Sequence, residues 1–153
     1  MTYSAAVIAD YFLSLTDPDV GDVMTRLYLQ KLLYYAQGFH LALYDQPFFP
    51  EPLVAWMRGP VVPAVYCTDH ATCSASDPLP RSPTFDPTLI DGTTREFLDE
   101  IYDVYGQFAA WKLEALIYTE PPWTATPTHG IITHTALRAY FQTLVVSSPE
   151  ASP

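Results

Sequence analysis

Hydrophobic residues recur with helical spacing along most of the chain, and prolines separate these segments from one another. The first helix is predicted from Ser4 to Thr16, because its apolar side chains form one stripe at a spacing of three to four residues. Ser4 is a favourable N-cap, and Pro18 ends the helix because the residue before a proline avoids the α conformation. Four later helices are predicted at 62–70, 93–105, 108–118 and 133–144.

The second helix, predicted from Val23 to Tyr44, differs from the others because apolar side chains cover nearly all of its circumference. Such a helix is typical of a protein core. On a helical wheel its polar side chains fall within one narrow strip, formed by Arg26, Gln30, Gln37 and His40. We therefore expect this helix to lie at the centre of the fold, with Gln30 bonded to backbone or to a loop.

Lys31 is the exception on the second helix, because it points away from the polar strip and lies among apolar side chains. A buried ammonium group is unfavourable unless it is paired. Lys31 is therefore expected either to extend its stem to water or to meet a carboxylate, of which Glu51 and Glu114 are candidates. A catalytic lysine would need an acid-base partner, and the sequence shows none.

Only one short segment has strand character. Residues 53–57 are apolar and rich in strand formers, and the sequence Arg58-Gly59-Pro60 ends the run. The predicted fold is therefore mainly α: a compact, single-domain helical bundle around a buried central helix, with at most a short β element near 53–57. The domain is predicted to span residues 1–146, followed by a frayed tail at 147–153, and residues 72–87 are predicted to form a loop.

The fourth and fifth helices carry more detailed predictions. Thr93 and Glu96 fit a capping box at the start of the fourth helix, and Gly106 is placed where a left-handed glycine commonly ends one. The fifth helix is expected to end at the sequence 120–123 and to direct three side chains inward, namely Trp111, Ala115 and Leu116.

Charge excludes several classes of partner. The 153-residue chain has 17 acidic and 7 basic side chains, a net charge of −10, and the basic residues are scattered singly. Nucleic acids and anionic membranes are therefore poor partners, whereas a basic protein is electrostatically favoured. The sequence also predicts no membrane span and no signal peptide, so the cytoplasm is the expected location.

Two features are candidates for contact with a protein partner. Phe48 and Phe49 lie between two prolines in a short loop, where they could either cover the core or form an exposed knob. An acidic stripe on the fourth helix could be a solvated face or a docking strip for a basic partner; it consists of Glu96, Asp99, Glu100 and Asp103.

Motifs for catalysis or cofactor binding are missing from the sequence. The spacing of Cys67, His70 and Cys73 could place three zinc ligands on one helical face, but no fourth ligand is visible, and the alternative is two partly buried thiols. The chain has no phosphate-binding loop, no dinucleotide fingerprint and no nucleophile elbow. We therefore predict no cofactor, no metal and no enzymatic activity, with a small metal-dependent enzyme as the remaining alternative.

Several motifs together resemble those of the Panacea domain family of SocA-like antitoxins. The first is the sequence YLQKLLYYAQG at 28–38 with His40 and Leu41 after it, and the second joins Pro47-Phe48-Phe49 to Ala55-Trp56 and Gly59-Pro60-Val61-Val62-Pro63. Glu120-Pro121-Pro122-Trp123 is similar to a third family element, and the resemblance extends over about 5–144. The signature residues, as partner contacts or scaffold, are Gln30, Lys31, Tyr34, Tyr35, Gln37, His40, Trp56, Arg58, Gly59, Pro60 and Trp123.

The resemblance implies a mainly helical, cytoplasmic protein of bacterial or phage origin. Its expected function is that of the antitoxin in a toxin–antitoxin system, which neutralises a cognate, basic protein toxin by direct binding. The family includes a proteolytic adaptor, so delivery of the toxin to an ATP-dependent protease is the alternative mechanism. We expect neither nucleic acid nor membrane among the partners.

Overall fold

The computed structural model of the chain describes residues 2–17, 24–66, 78–79 and 84–146. Within these ranges it contains seven helices: α1 (Ala5–Ser14), α2 (Arg26–Tyr44), α3 (Pro63–Tyr66), α4 (Gly92–Tyr105), α5 (Ala110–Ile117), α6 (Pro121–Thr124) and α7 (His134–Val146). The strands are β1 (Met24–Thr25), β2 (Leu53–Trp56), β3 (Gly59–Val61), β4 (Pro78–Leu79) and β5 (Ile131–Ile132). The mainly α fold with a small β element is thus confirmed. No helix in the described ranges has the length and apolar character that a membrane span requires.

Helix α2 forms the centre of the fold, as the sequence predicts. Fourteen of its nineteen residues are buried, and α1, α4, α5 and α7 all contact it. The Thr25 side chain caps the helix by accepting a hydrogen bond from the Tyr28 N–H, and Asp45 ends it in the left-handed conformation. Burial on nearly all sides explains why its sequence shows so broad an apolar surface.

The polar strip of α2 faces neighbouring backbone and is buried from water. Gln37 Oε1 accepts a hydrogen bond from the Phe48 N–H at 2.7 Å, and its Nε2 donates to the Phe49 carbonyl at 2.9 Å. Gln30 Oε1 accepts from the Val62 N–H at 2.8 Å, which confirms the expected bond to backbone. His40 Nδ1 lies 2.6 Å from the Gln46 carbonyl. The strip therefore satisfies backbone groups that the core would otherwise leave unpaired.

Phe48 and Phe49 cover the core and do not form a knob. Both side chains have no exposed surface, and the Phe48 ring stacks on His40 with ring centroids 4.6 Å apart. The prediction that these residues face a partner is wrong because Gln37 binds the backbone of this loop. Both rings are thereby held against the core.

Gly38 of α2 packs directly against Phe141 of α7. A Cβ atom at this position would overlap the ring of Phe141, which is fully buried on α7. The ring also contacts Tyr34, Tyr35 and Phe39 of α2, in all three cases edge to face. Glycine at position 38 is therefore required by close packing, since its backbone conformation is that of an ordinary helix.

A buried carboxylate, that of Glu120, joins α2 and α7 to the junction of α5 and α6. Its side chain accepts hydrogen bonds from the Tyr34 hydroxyl at 2.8 Å and the Tyr35 hydroxyl at 3.1 Å, and the Tyr140 hydroxyl also bonds to it. Burial raises the pKa of this carboxyl, and the three hydroxyl donors partly oppose the effect. Burial, together with the nearby carboxylate, raises the pKa of Tyr140 to about 12.

A hairpin of β2 and β3 supplies the predicted β element. Antiparallel pairing places Trp56 opposite Gly59, and β5 adds a third strand by pairing with Leu53 and Val54 of β2. Strand β5 has no signal in the sequence, because two residues are too few to show an alternating pattern. Strands β1 and β4 form a separate two-stranded pair.

Helix boundaries and faces differ from the prediction at several points. Asp91 caps α4 in place of Thr93, and Gly106 ends that helix in the right-handed conformation. Leu113 and Ile117 face the core from α5, whereas Trp111 and Ala115 are exposed. The sequence 120–123, predicted to end α5, starts the short helix α6, since prolines are well tolerated in a first turn.

Three predictions fall wholly or largely outside the described residues. These are the end of the third helix beyond Tyr66, most of the loop at 72–87 and the tail at 147–153. The extent of the domain, residues 1–146, stays a prediction.

Replacing Gln37 by alanine is expected to lower the free energy of unfolding by about 3 kcal/mol, because the backbone groups of Phe48 and Phe49 would be left buried without partners. Denaturant titration monitored by circular dichroism measures the change. Gln107→Ala is the matched control, since Gln107 is exposed and makes one local hydrogen bond. Equal effects of the two substitutions would contradict the structural role of Gln37.

The raised pKa of Glu120 predicts a pH dependence of stability. Because the folded state holds the proton more tightly than the unfolded state, the stabilisation from this shift is lost as pH rises from about 4.5 through the folded pKa. The difference in unfolding free energy between the wild type and Glu120→Gln should therefore become less favourable to the wild type between pH 4 and pH 7. Glu96→Gln, which removes an exposed carboxyl, is the control, and a difference that stays constant with pH would contradict the prediction.

Candidate partner-binding groove

The β2–β3 hairpin ends in a two-residue turn that presents two long side chains to solvent. Met57 is 80% exposed and the Arg58 side chain is 62% exposed. Gly59 follows with a φ of +126°, a conformation that other residues rarely adopt. A Cβ on Gly59 would lie 3.6 Å from Lys31 Nζ, an ordinary contact distance, so the positive φ is the reason that glycine is favoured here.

Side chains from two helices hold this turn in place. Lys31 Nζ of α2 donates to the Arg58 carbonyl at 3.4 Å. The Tyr118 hydroxyl, at the end of α5, lies 3.2 Å from the Met57 carbonyl and 3.0 Å from Glu114 Oε1, and can donate to either. Arg58 Nη2 lies 3.7 Å from Glu114 Oε2. The backbone of the turn is thus held by contacts with α2 and the end of α5, while the side chains of Met57 and Arg58 are exposed.

Lys31 is fully buried, which corrects the expectation that its stem extends to water. Of the two candidate carboxylates, Glu114 attracts Lys31 electrostatically, whereas Glu51 accepts a hydrogen bond from the Ala5 N–H. Lys31 forms no ion pair within the described part of the chain. Burial lowers the pKa of Lys31 to about 8; the attraction of Glu114 opposes this shift and the repulsion of Arg58 adds to it.

Two hollows meet at the hairpin tip and share Leu27 and Arg58 as walls; we refer to them together as the groove. The larger, of about 530 Å³, lies between α5 and the start of α2, and its other lining residues are Thr25, Ala110, Trp111, Glu114, Ala115 and Tyr118. The smaller, of about 240 Å³, lies on the other side of Arg58 and is completed by Trp56, Met57, Gly59, Val61, Tyr66 and His129.

The composition of the groove is typical of a protein-binding surface. Trp111 is 72% exposed on α5 and lies in the same hollow as Arg58 and Tyr118. Tryptophan, tyrosine and arginine are the residue types that contribute most to binding energy at protein interfaces, and methionine is also enriched there. Trp111 and Met57 are both exposed at this groove, and exposed apolar side chains that lie together, unlike single ones, are typical of interaction sites.

The described residues include no group of histidine, cysteine, aspartate and glutamate side chains that could hold a metal ion. Cys67, His70 and Cys73, the candidate zinc ligands, lie outside the described residues. The metal-binding alternative therefore stays a prediction for these three positions.

The structure gathers only some of the signature residues at the groove. Lys31, Trp56, Arg58 and Gly59 meet there, with Trp56 packed edge to face on Tyr66. The remaining positions support the scaffold. Gln30, Gln37 and His40 bind backbone, Pro60 is buried in β3, Tyr34 and Tyr35 bind Glu120, and Trp123 stacks on Tyr118 at 5.3 Å.

The acidic stripe of α4 is divided between two roles. Asp99 is half-buried and accepts a hydrogen bond from the Tyr11 hydroxyl at 2.6 Å, so this carboxylate ties α4 to α1. Glu96, Glu100 and Asp103 are exposed and available to solvent or to a partner.

Sequence reasoning missed Met57, Trp111 and Tyr118 as residues of the groove. For Trp111 a signal was present. Leu113, Leu116, Ile117 and Glu120 form a stripe with helical spacing, and placing that stripe inward turns Trp111 to the surface. For Met57 no signal existed, because its exposure depends on which residues form the turn.

Lys31→Met should leave the protein at least as stable at pH 7, because it removes a desolvated charge that has one long hydrogen bond. Between pH 8 and 10.5 the unfolded chain retains the Lys31 proton while the folded chain releases it, so the wild type should gain stability relative to the variant. Unfolding free energies at pH 7 and pH 9.5 measure both effects, with the exposed Lys112→Met as control. A loss of more than about 1 kcal/mol at pH 7 would instead identify Lys31 as a stabilising residue.

Comparison with known protein families assigns the chain to one family. The family model described as "Antitoxin SocA-like, Panacea domain" matches residues 29–124, which include most of α2, the hairpin, α4, α5 and α6. No curated protein and no solved structure gives a significant match. The match confirms the resemblance of the motifs over this range, and the name of the family supports an antitoxin role. The chain therefore belongs to the family of SocA-like antitoxins that is defined by the Panacea domain.

Proposed function

We propose that this protein neutralises a cognate protein toxin by binding it directly and stoichiometrically through the groove. One observation carries the proposal. In a chain of an antitoxin family, a hairpin tip fixed by Lys31 and Tyr118 presents Met57 and Arg58 beside an exposed Trp111. A preorganised surface of this kind loses little conformational entropy on binding, which favours a tight complex.

Charge supports a basic toxin as the partner. The chain has a net charge of −10, and three exposed carboxylates of α4 contribute to its negative field: Glu96, Glu100 and Asp103. Such a field accelerates association with a positively charged protein and repels nucleic acids and anionic membranes. The association rate should therefore fall as ionic strength rises.

Neutralisation by occlusion needs neither a cofactor nor a reaction, because covering the toxin's functional surface is sufficient. The proposal places this activity in the cytoplasm. The alternative mechanism, in which the protein acts as an adaptor for an ATP-dependent protease, uses the same contact with the toxin. The two mechanisms differ in the fate of the toxin, which is inactive but intact in the first and degraded in the second.

Co-expression tests the proposal. The product of the reading frame next to this gene should arrest growth when expressed alone, and co-expression of this protein should restore growth and yield a complex of defined stoichiometry. An unchanged toxin half-life during rescue supports occlusion, whereas a shortened half-life indicates the adaptor mechanism. If no neighbouring product binds or is neutralised, the proposed function is wrong.

Within that system, Trp111→Ala should weaken toxin binding by about 30-fold, since an exposed tryptophan in a groove is a typical hot spot. Calorimetric titration of the purified proteins measures the affinity. Tyr44→Ala removes another exposed aromatic ring, at the C-terminal end of α2, whereas the groove lies near its N-terminal end. This variant should bind with an affinity within about threefold of the wild type. If both variants lost affinity equally, the toxin would not bind at the groove.

A further inference from the structure

Basic side chains outnumber acidic ones at the described part of the groove, whereas the chain as a whole is acidic. Among the described residues, Arg58 lines both hollows, Lys31 lies behind their shared wall, and Glu114 is the acidic residue that faces these two bases. Two positive charges thus face one negative charge, on a chain whose net charge is −10. A ligand at this position meets a local excess of positive charge on an otherwise acidic chain.

Neither base is fully paired within the described residues. Lys31 has three donor hydrogens and one hydrogen bond, which at 3.4 Å is long. Arg58 and Glu114 approach to 3.7 Å, a distance at which an exposed ion pair contributes little. Because Lys31 is buried without a direct carboxylate partner, folding leaves a positive charge here that is unfavourable for the free protein. A local cost of this kind is typical of a functional site.

The backbone adds to the same potential. The larger hollow is lined by Thr25 and Ala110, which lie at the N-terminal ends of α2 and α5, respectively. Unpaired N–H groups give a helix N-terminus a partial positive charge. Thr25 caps α2 with its side chain, whereas Ala109 supplies no side-chain cap to the eight-residue α5.

We infer that the groove recognises a carboxylate of the toxin, carried by an aspartate or glutamate that an apolar residue accompanies. This inference rests on the proposed function and specifies which chemistry of the toxin is bound. The carboxylate accepts hydrogen bonds from the Arg58 guanidinium, in place of the long contact with Glu114. The apolar neighbour packs against Trp111 and Met57.

A single protein carboxylate fits this surface better than a nucleic acid does. The net charge of −10 repels a polyanion at every other point of contact, so only a ligand with isolated negative charge benefits from the groove. A toxin that is basic overall and presents one acidic residue meets both conditions. Its net charge then favours the encounter, and its carboxylate determines the orientation of the complex.

Charge reversal tests the inference. Arg58→Glu should weaken binding of the purified toxin by at least about 30-fold. Arg138→Glu is a matched control, because Arg138 is also partly exposed and also paired with an aspartate, Asp45. That pair lies at the C-terminal end of α2, about 28 Å along the helix from its start. The control should change the affinity by less than about threefold in low salt.

A complementary substitution in the toxin identifies the carboxylate. Each Asp and Glu of the toxin is replaced by Lys, and one such variant should bind the wild type at least about 30-fold more weakly and regain at least about tenfold with Arg58→Glu. Two further variants test the roles of the neighbouring charges. Lys31→Met should bind more weakly although it is no less stable, and Glu114→Gln should bind at least as tightly, because it removes the internal competitor for Arg58.

The possible failures are distinguishable. If the wild type binds the toxin but Arg58→Glu and Arg138→Glu weaken it equally, only overall charge matters and the inference is wrong, while the proposed function stands. A loss of more than tenfold with Glu114→Gln would show that Glu114 contacts a basic group of the toxin, which also overturns the inference. If no toxin binds the wild type, the proposed function fails and the inference fails with it.

Discussion

The hydrogen-bonded carboxylate of Glu120 is the constraint on which the arrangement of this molecule depends. Tyr34 and Tyr35 from α2 and Tyr140 from α7 converge on it, and it lies between α5 and α6. An unsatisfied buried carboxylate would be strongly unfavourable, so only packings that bring all three hydroxyls together are compatible with folding. Apolar contacts alone would tolerate some sliding of helix on helix, whereas this cluster specifies one arrangement.

That arrangement also determines the geometry of the groove. Glu120 lies three residues after the end of α5; that helix carries Trp111 and Glu114, and Tyr118 is its C-cap. Tyr118 lies two residues before Glu120, so the position of Glu120 influences whether the Tyr118 hydroxyl can reach the Met57 carbonyl at the hairpin tip. A polar cluster in the core, just beyond the end of α5, thus helps to place the residues of that helix that face solvent.

Side chains of helix α2 hold both the loop at 48–49 and the β2–β3 hairpin. Gln37 binds the loop at 48–49, Gln30 binds Val62 after the hairpin, and Lys31 reaches the turn itself. These three residues belong to one motif of the sequence, and each binds a backbone group, so their side chains organise the chain around them. The family signature is in this respect largely a description of how the loops are attached to the central helix.

The sequence was sufficient to predict the helical architecture and the central position of α2, because hydrophobic periodicity reports burial directly. It also indicated that Lys31 was unusual. It could not show that Phe48 and Phe49 are buried, since that depends on the long-range bonds of Gln37 to their backbone. The sequence indicates Glu120 only as the end of a helix before two prolines, because no local pattern reveals that three distant tyrosines surround it. Polar residues in a core are specified by tertiary contacts, and for this reason local patterns predict them poorly.

The attachment of the hairpin tip has an evolutionary consequence. Lys31 and Tyr118 hold carbonyl oxygens of the turn, whereas the side chains of Met57 and Arg58 take little part in holding the backbone. Every amino acid has the same carbonyl group, so these two positions can accept many residues without loss of the turn. A scaffold of this kind can acquire a new binding specificity by a few substitutions while its folding requirements stay constant.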